Sequence, residues 1–188
     1  MLENDVQPGA FRTIVSEYEA KDKSGKMAVI ASLPRLCNHC NKPACIDVCP
    51  TGASYQRSNG IVKIDTKECI GCALCVEACP YHARYLSLHT YKADKCTFCD
   101  HRLRVGLQPA CVESCVGGSR IIGDLNDPNS NIRKFLATHE TMVIDSPKNT
   151  NPQVFYHGVS EILAKNDKKL ELENGYQKVI SWSEEIAQ

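Results

Sequence analysis

The segment CIGCALCVEACP, residues 69–80, decides how the rest of the chain is to be read. Its cysteines stand at 69, 72, 75 and 79, separated by two, two and three residues, and Pro80 follows the last. Thiols packed this closely in one loop are badly placed to be stapled one by one to distant partners as disulfides. Cys69, Cys72 and Cys75 suit something broader than a single ion, because each can take one corner of a polynuclear iron–sulfur group. Cys79 falls on VEAC, where the spacing predicts one helical turn stopped by Pro80, and so points away from the other three. Gly71 leaves out a side chain where the loop wraps the bound group, and nearby amide N–H groups are then free to donate to sulfur.

An earlier segment, CNHCNKPACIDVCP at residues 37–50, is a variant of the same pattern. It carries Cys37, Cys40, Cys45, Cys49 and Pro50, with its second gap widened to four residues by Asn41, Lys42, Pro43 and Ala44. Taken alone it suits zinc as well as iron. Beside residues 69–80 it reads as the partner half, because C-x2-C-x2-C-x3-C-P is the run of bacterial ferredoxins, whose fourth cysteine serves the other cluster. Crossed ligation then assigns Cys37, Cys40, Cys45 and Cys79 to one 4Fe-4S cluster, and Cys69, Cys72, Cys75 and Cys49 to a second.

The third quartet lies in KCTFCDHRLRVGLQPACVESCVGG, residues 95–118. Eleven residues separate Cys99 from Cys111, and Val116-Gly117-Gly118 replaces the proline after Cys115. The spacing of Cys96, Cys99, Cys111 and Cys115 leaves two readings open: a structural zinc held by four thiolates, or half of an iron–sulfur site.

Composition agrees with a fold organised by metal. Twelve cysteines among 188 residues is far above ordinary usage, while aromatic residues make up only 6%. Twenty-two basic residues balance twenty-two acidic ones, which removes the electrostatic argument for a nucleic-acid or anionic-membrane surface. The opening MLENDVQPGA has neither a basic start nor an apolar run, so it does not read as a signal peptide. No apolar stretch approaches the roughly 20 residues that span a bilayer. No Ser/His/Asp set, paired carboxylates or phosphate-binding glycine loop stands out, so the cysteines are expected to hold cofactors rather than to catalyse.

Around the quartets the pattern predicts an α+β chain of short elements. FRTIVSEYEA and MAVIASL read as strands, and ASYQ and IVKID as a hairpin turned at Asn59-Gly60. ARYLSL and RIIGD read as further strands, NSNIRKFLATHE as a helix, and TMVID and QVFYHG as extended pieces. The last 25 or so residues read as a charged helix. The expected division is an N-terminal segment 1–34, a two-cluster unit 35–92, the third quartet 93–124, and a C-terminal part 125–188. His39 is expected to shape its loop rather than to ligate metal. Lys95, Arg102 and Arg104 are expected to form a solvated basic face. Val154, Phe155 and Tyr156 suit either a partner-facing patch or the chain's own core.

In order, LCNHCNKPACIDVCPTGA, CIGCALCVEACPYHARY, ADKCTFCDHRL and GLQPACVESC resemble the four-cluster, ferredoxin-like electron-transfer subunits of molybdopterin oxidoreductases. That family serves dimethyl sulfoxide, polysulfide, thiosulfate, arsenate and tetrathionate reductases. ENDVQPGAFRTIVSEYE and CVESCVGGSRIIGDLNDPNS resemble the tetrathionate reductase branch most, with Gly117-Gly118 where many relatives have proline. The resemblance implies tandem bacterial-ferredoxin-like units built around 4Fe-4S clusters.

The family carries four quartets, the first and last sharing two clusters and the middle two sharing two more. MLENDVQPG resembles the stretch that follows the family's first quartet. The resemblance therefore implies that Cys96, Cys99 and Cys111 ligate a third cluster whose fourth ligand comes from a preceding segment. Cys115 would serve a fourth cluster. Completion of the third site by Cys115, a three-iron cluster, and an empty site are the alternatives. A start at an internal methionine is the expectation that accompanies this pattern.

The implied partners are a molybdopterin catalytic subunit and a quinol-oxidising membrane anchor subunit, on the outer face of the cytoplasmic membrane. Two other classes stay open: the electron-transfer subunit of another enzyme, such as a formate dehydrogenase, hydrogenase or arsenate reductase, and a zinc-stabilised interaction module.

Overall fold

The computed structural model describes residues 2–21, 27–144 and 149–158, with backbone alone over 17–31. Two strands open the chain: β1 (Thr13–Lys21) pairs antiparallel with β2 (Met27–Leu36), so that Thr13 lies opposite Leu36. The expected strands at residues 11–20 and 27–33 are thus the two arms of one hairpin. Its end delivers the chain directly to Cys37.

From there one unit repeats: a cysteine loop, a single helical turn, and a short antiparallel hairpin. In the first, α1 (Ala44–Asp47) precedes β3 (Ser54–Gln56) and β4 (Val62–Ile64). In the second, α2 (Leu74–Glu77) precedes β5 (Tyr85–Leu86) and β6 (Ala93–Asp94). In the third the cysteines are split between α3 (Asp100–Leu103) and α4 (Ala110–Glu113). The turn between β3 and β4 is closed by the Gly60 N–H donating to the Arg57 carbonyl at 2.9 Å, with Gly60 left-handed at φ +80°. Asn59 does not share that conformation, so the pair forms a three-residue loop rather than a two-residue mirror turn.

Beyond the quartets, α5 (Asn131–Thr138) matches the expected helix and is capped by Ser130, whose hydroxyl accepts from the Arg133 N–H at 3.3 Å. The strand expected at RIIGD does not form. No strand among the described residues pairs with it. Gly123 instead abuts the start of α5, where an added Cβ would press on Ile132 and Ser130. β7 (Thr141–Met142) pairs with β8 (Tyr156–His157), which folds residues 149–157 back over the first quartet. The helix expected over the last 25 or so residues lies outside the described residues. No helix among the described residues is long and apolar enough to cross a membrane.

The core is in two parts, and cysteine belongs to both. Leu33, Tyr81, Ile144 and Tyr156 pack with Cys40 and Cys79. Ala53 and Ala93 pack with Cys69 and Cys75. Tyr156 is thus core, its hydroxyl donating to the Pro34 carbonyl at 3.0 Å, and Val154 packs beside it. So little aliphatic volume surrounds the thiols that cluster binding is expected to carry much of the folding free energy. Removing iron with a chelator should therefore erase most of the far-ultraviolet circular dichroism of the loaded chain. A spectrum that stays native-like after chelation would contradict this.

One ionic cluster fastens the third quartet to the first unit. Asp100, 1% exposed, accepts from Arg57 at 2.9 Å and Lys63 at 2.8 Å and pairs with Arg104 at 2.9 Å. Burial acts to raise its pKa, but Lys63, Arg57 and Arg104 outweigh it and hold the carboxyl below its ordinary value. Asp100→Asn leaves three cations without their common anion. It is expected to lower stability by about 3 kcal/mol in chemical denaturation of the loaded chain; a loss below about 1 kcal/mol would contradict the pairing.

Candidate metal centres

All twelve cysteines are free thiols. Eight of them border two cavities, and each cavity draws on both of the first two quartets. The first is lined by Cys37, Cys40, Cys45 and Cys79, together with Asn38, Pro43, Val62, Tyr81, Arg84 and Thr150. The second is lined by Cys49, Cys69, Cys72 and Cys75, with Thr51, Ser54, Ile64 and Ala93. Each encloses roughly 320–330 Å³ counting its mouth. These are the thiol sets that crossed ligation requires, with the last cysteine of each quartet facing the other quartet's cavity.

Short helical turns produce the crossing. α1 and α2 carry the third cysteine of their quartets, Cys45 and Cys75, and the chain leaves each turn at Cys49-Pro50 or Cys79-Pro80, where proline forbids another, so Cys79 lies just past its helical turn rather than on it. The loops themselves are tightened by left-handed residues: His39 at φ +42°, Gly71 at +72°, Ala73 at +62° and Cys99 at +49°. Such conformations cost non-glycine residues roughly 1–3 kcal/mol each and cluster at functional sites. Gly71 has a further reason for its identity. A Cβ there would collide with the carbonyl oxygen of Tyr91, which the β5–β6 loop lays against it.

The thiols sit in differing fields. Burial pushes Cys45 up to about 11, although Arg84 pulls the other way. Burial likewise raises Cys40 and Cys79. At Cys49 burial is outweighed by hydrogen bonds, the first from the Ser54 N–H at 3.4 Å, and the thiol falls below its usual value. N–H donors of this kind compensate negative charge on sulfur. Sulfur and iron suit such a donor set, and four sulfurs spread around a cavity suit a polynuclear group. Among the described residues no three His, Cys, Asp or Glu side chains gather closely enough to hold one ion, as zinc at about 2.3 Å from each sulfur demands.

The third quartet borders neither of these two cavities. Cys96 and Cys99 are buried, while Cys111 is exposed. Burial is the largest influence on Cys96 and pushes it to about 12. Asn4 donates to the Cys99 sulfur at 3.5 Å. Cys115 faces the Ser119 hydroxyl at 3.1 Å within its own loop and does not turn in to complete the set.

Among the flanking residues, Lys95 differs from expectation. Lys95 is no part of a solvated face: it is 1% exposed and donates to the carbonyls of Val62 and Cys96. Arg102 is tied to Glu3 at 3.1 Å and to Glu113, and Arg104 to Asp100. His39 shapes its loop, accepting the Val62 N–H at Nδ1 (3.0 Å) and stacking on Phe98 with centroids 3.8 Å apart. Spacing gave no sign of Arg84 or Thr150. Thr150, brought over the first cavity by the returning C-terminal segment, meets the Tyr81 hydroxyl at 2.6 Å, and the Lys42 N–H donates to its carbonyl at 3.0 Å.

A family model described as a 4Fe-4S dicluster domain matches residues 28–125. The chain belongs to the 4Fe-4S dicluster family. Within the dicluster proteins it is 52% identical to a tetrathionate reductase subunit of Salmonella typhimurium over 162 residues, 85% of this chain and 65% of that protein. It is 38% identical to the corresponding tetrathionate reductase subunit of Archaeoglobus fulgidus, covering 82% of this chain and 70% of the relative. It is 42% identical to the thiosulfate reductase electron transfer subunit of Salmonella typhi, covering 73% and 71%. The chain thus spans just under two thirds of the first of these dicluster relatives, and more of the other two.

Proposed function

We propose that this chain is the electron-transfer iron–sulfur subunit of a tetrathionate reductase-type respiratory complex. The observation that carries the reading is the pair of cavities, each bordered by three thiols of one quartet and the last thiol of the other. Cys37, Cys40, Cys45 and Cys79 would hold one 4Fe-4S group, and Cys69, Cys72, Cys75 and Cys49 the second. Cys96, Cys99 and Cys111 would contribute to a third. When bound, such a group accepts or gives one electron with little nuclear rearrangement.

The chain's own residues hold, shield and space the groups. Tyr81 and Thr150, joined by a hydrogen bond, line the first cavity. Ser54 donates to Cys49 at the second. Lys95 and the Asp100 cluster lock the third quartet beside β4, extending the row. Electrons would enter from a quinol-oxidising membrane subunit and leave to a molybdopterin catalytic subunit, on the outer face of the cytoplasmic membrane. The 52% identity to a tetrathionate reductase subunit favours tetrathionate as terminal acceptor.

A direct test is to reduce the loaded chain with dithionite, remove the excess, and add the catalytic subunit. Tetrathionate should then restore the visible band within seconds, but only when that subunit is present. Recovery with arsenate, polysulfide or thiosulfate and none with tetrathionate would assign the chain to a different reductase. Failure with all four would overturn the electron-transfer reading.

A further inference from the structure

Arg84 is tied to both cavities. Its residue lines the first cavity, and its Nη1 donates at 2.8 Å to the Ser54 hydroxyl, which lines the second. The side chain is buried, with 4% of the residue exposed. Its Nε and Nη2 atoms are buried too and meet no oxygen or nitrogen acceptor among the described residues, the Cys75 thiol being the group within hydrogen-bonding reach of the guanidinium besides Ser54. A guanidinium keeps its charge under any condition a protein survives. A buried one normally has a carboxylate or a full set of acceptors, since an uncompensated buried charge costs several kcal/mol. The surroundings here offer thiols: Cys45, Cys75 and Cys37 are the groups whose charge Arg84 feels most. Cys75 belongs to one cavity, and Cys45 and Cys37 to the other. The missing counter-charge is therefore the negative charge of the two loaded sites.

We propose that Arg84 is a shared positioning cation: a fixed, buried positive charge that raises the reduction potential of the groups in both cavities together. Each reduction adds one negative charge to a site that already carries thiolates. A cation held between the sites stabilises that added charge at either one, and burial leaves little water or salt to screen it. Ser54 acts as the tether that holds the guanidinium midway. This inference rests on the proposed loading of both cavities.

The test uses the full chain, loaded anaerobically with iron and sulfide, and follows each cluster by electron paramagnetic resonance during a redox titration. Iron analysis of the parent chain comes first: two empty cavities would defeat the proposed function itself, separately from the role of Arg84. With a loaded parent, Arg84→Gln should shift the oxidised-to-reduced ratio of both clusters at least tenfold toward oxidised at a given potential, which is 59 mV for a one-electron couple. Arg84→Lys should recover most of that shift, because the charge returns without the guanidinium geometry. Should Arg84→Gln fail to load, Ser54→Ala decides the matter. Releasing the tether should lower the potential of the Cys49–Cys69–Cys72–Cys75 cluster more than that of its neighbour. Loaded Arg84→Gln with both oxidised-to-reduced ratios within threefold of the parent's at the same potential, or with only one moved, overturns the inference. Ser54→Ala with both potentials unchanged does the same.

Discussion

Alanine at Cys49 is expected to remove the same iron that alanine at Cys69 removes, although the two residues belong to different quartets. Both thiols border the second cavity, while the quartet mates of Cys49 border the first. The double variant Cys49→Ala/Cys69→Ala should therefore lose no more iron than either single variant. Cys49→Ala combined with Cys37→Ala should lose the iron of two sites, about eight atoms if both are cubanes. Residues that act on one site are non-additive and residues at separate sites add, which makes the comparison decisive. If each quartet instead bound its own metal, the two double variants would exchange results. Cys79→Ala gives the mirror experiment, with Cys37 as its silent partner.

Gly71→Ala is expected to be the most damaging single methyl group in the chain. The position is left-handed at φ +72°, and the added Cβ meets the backbone carbonyl of Tyr91 rather than a movable side-chain tip. Strain at the left-handed position and overpacking against backbone each cost about 1–3 kcal/mol, so a loss of about 3 kcal/mol or more is expected. The cost should appear twice, as a lower denaturation midpoint of the loaded chain and as lower iron uptake at the Cys69–Cys72 loop. By contrast, alanine at Gly60 strains the backbone without meeting any atom, and should cost about 1 kcal/mol. Equal effects at the two glycines would remove the Tyr91 contact from the explanation.

Cysteine spacing made the sharing of the two cavities between quartets legible because it is a short-range property. A C-x2-C-x2-C loop followed by one helical turn and proline fixes which thiols face one cavity almost regardless of the surroundings. The hairpin at residues 54–64 was legible for a similar reason, since its two strands flank a turn within one short stretch, whereas Thr13–Lys21 and Met27–Leu36 were legible as strands but not as a pair. Residues 120–124 show where that reasoning stops. Arg120, Ile121 and Ile122 suit a strand, but a strand needs a neighbour, and here the chain runs against α5.

The charged residues were legible only as charges. Lys95 looked like surface because lysine usually is, yet its partners are a carbonyl on β4 and its own neighbour's carbonyl. Thr150 reaches the first cavity because β8 pairs with β7 and the backbone of residues 150–153 hydrogen-bonds to Asn38, Asn41 and Lys42. Arg84 sits five residues past Cys79, within the stretch CIGCALCVEACPYHARY but unmarked by any cysteine spacing, and its importance comes from what surrounds it. Glycine at 71 was expected for the sake of the bound group, and the nearer cause is the carbonyl of Tyr91.

These thiols are held to surround iron and sulfide rather than a single ion or nothing. The most direct test is elemental analysis of the anaerobically prepared chain for iron, acid-labile sulfide and zinc, with a visible spectrum before and after dithionite. The expected result is a brown chain with iron and sulfide in near-equal amounts, at least about eight of each, and a broad visible band that bleaches on reduction. A colourless chain, or one holding zinc in place of iron, contradicts it.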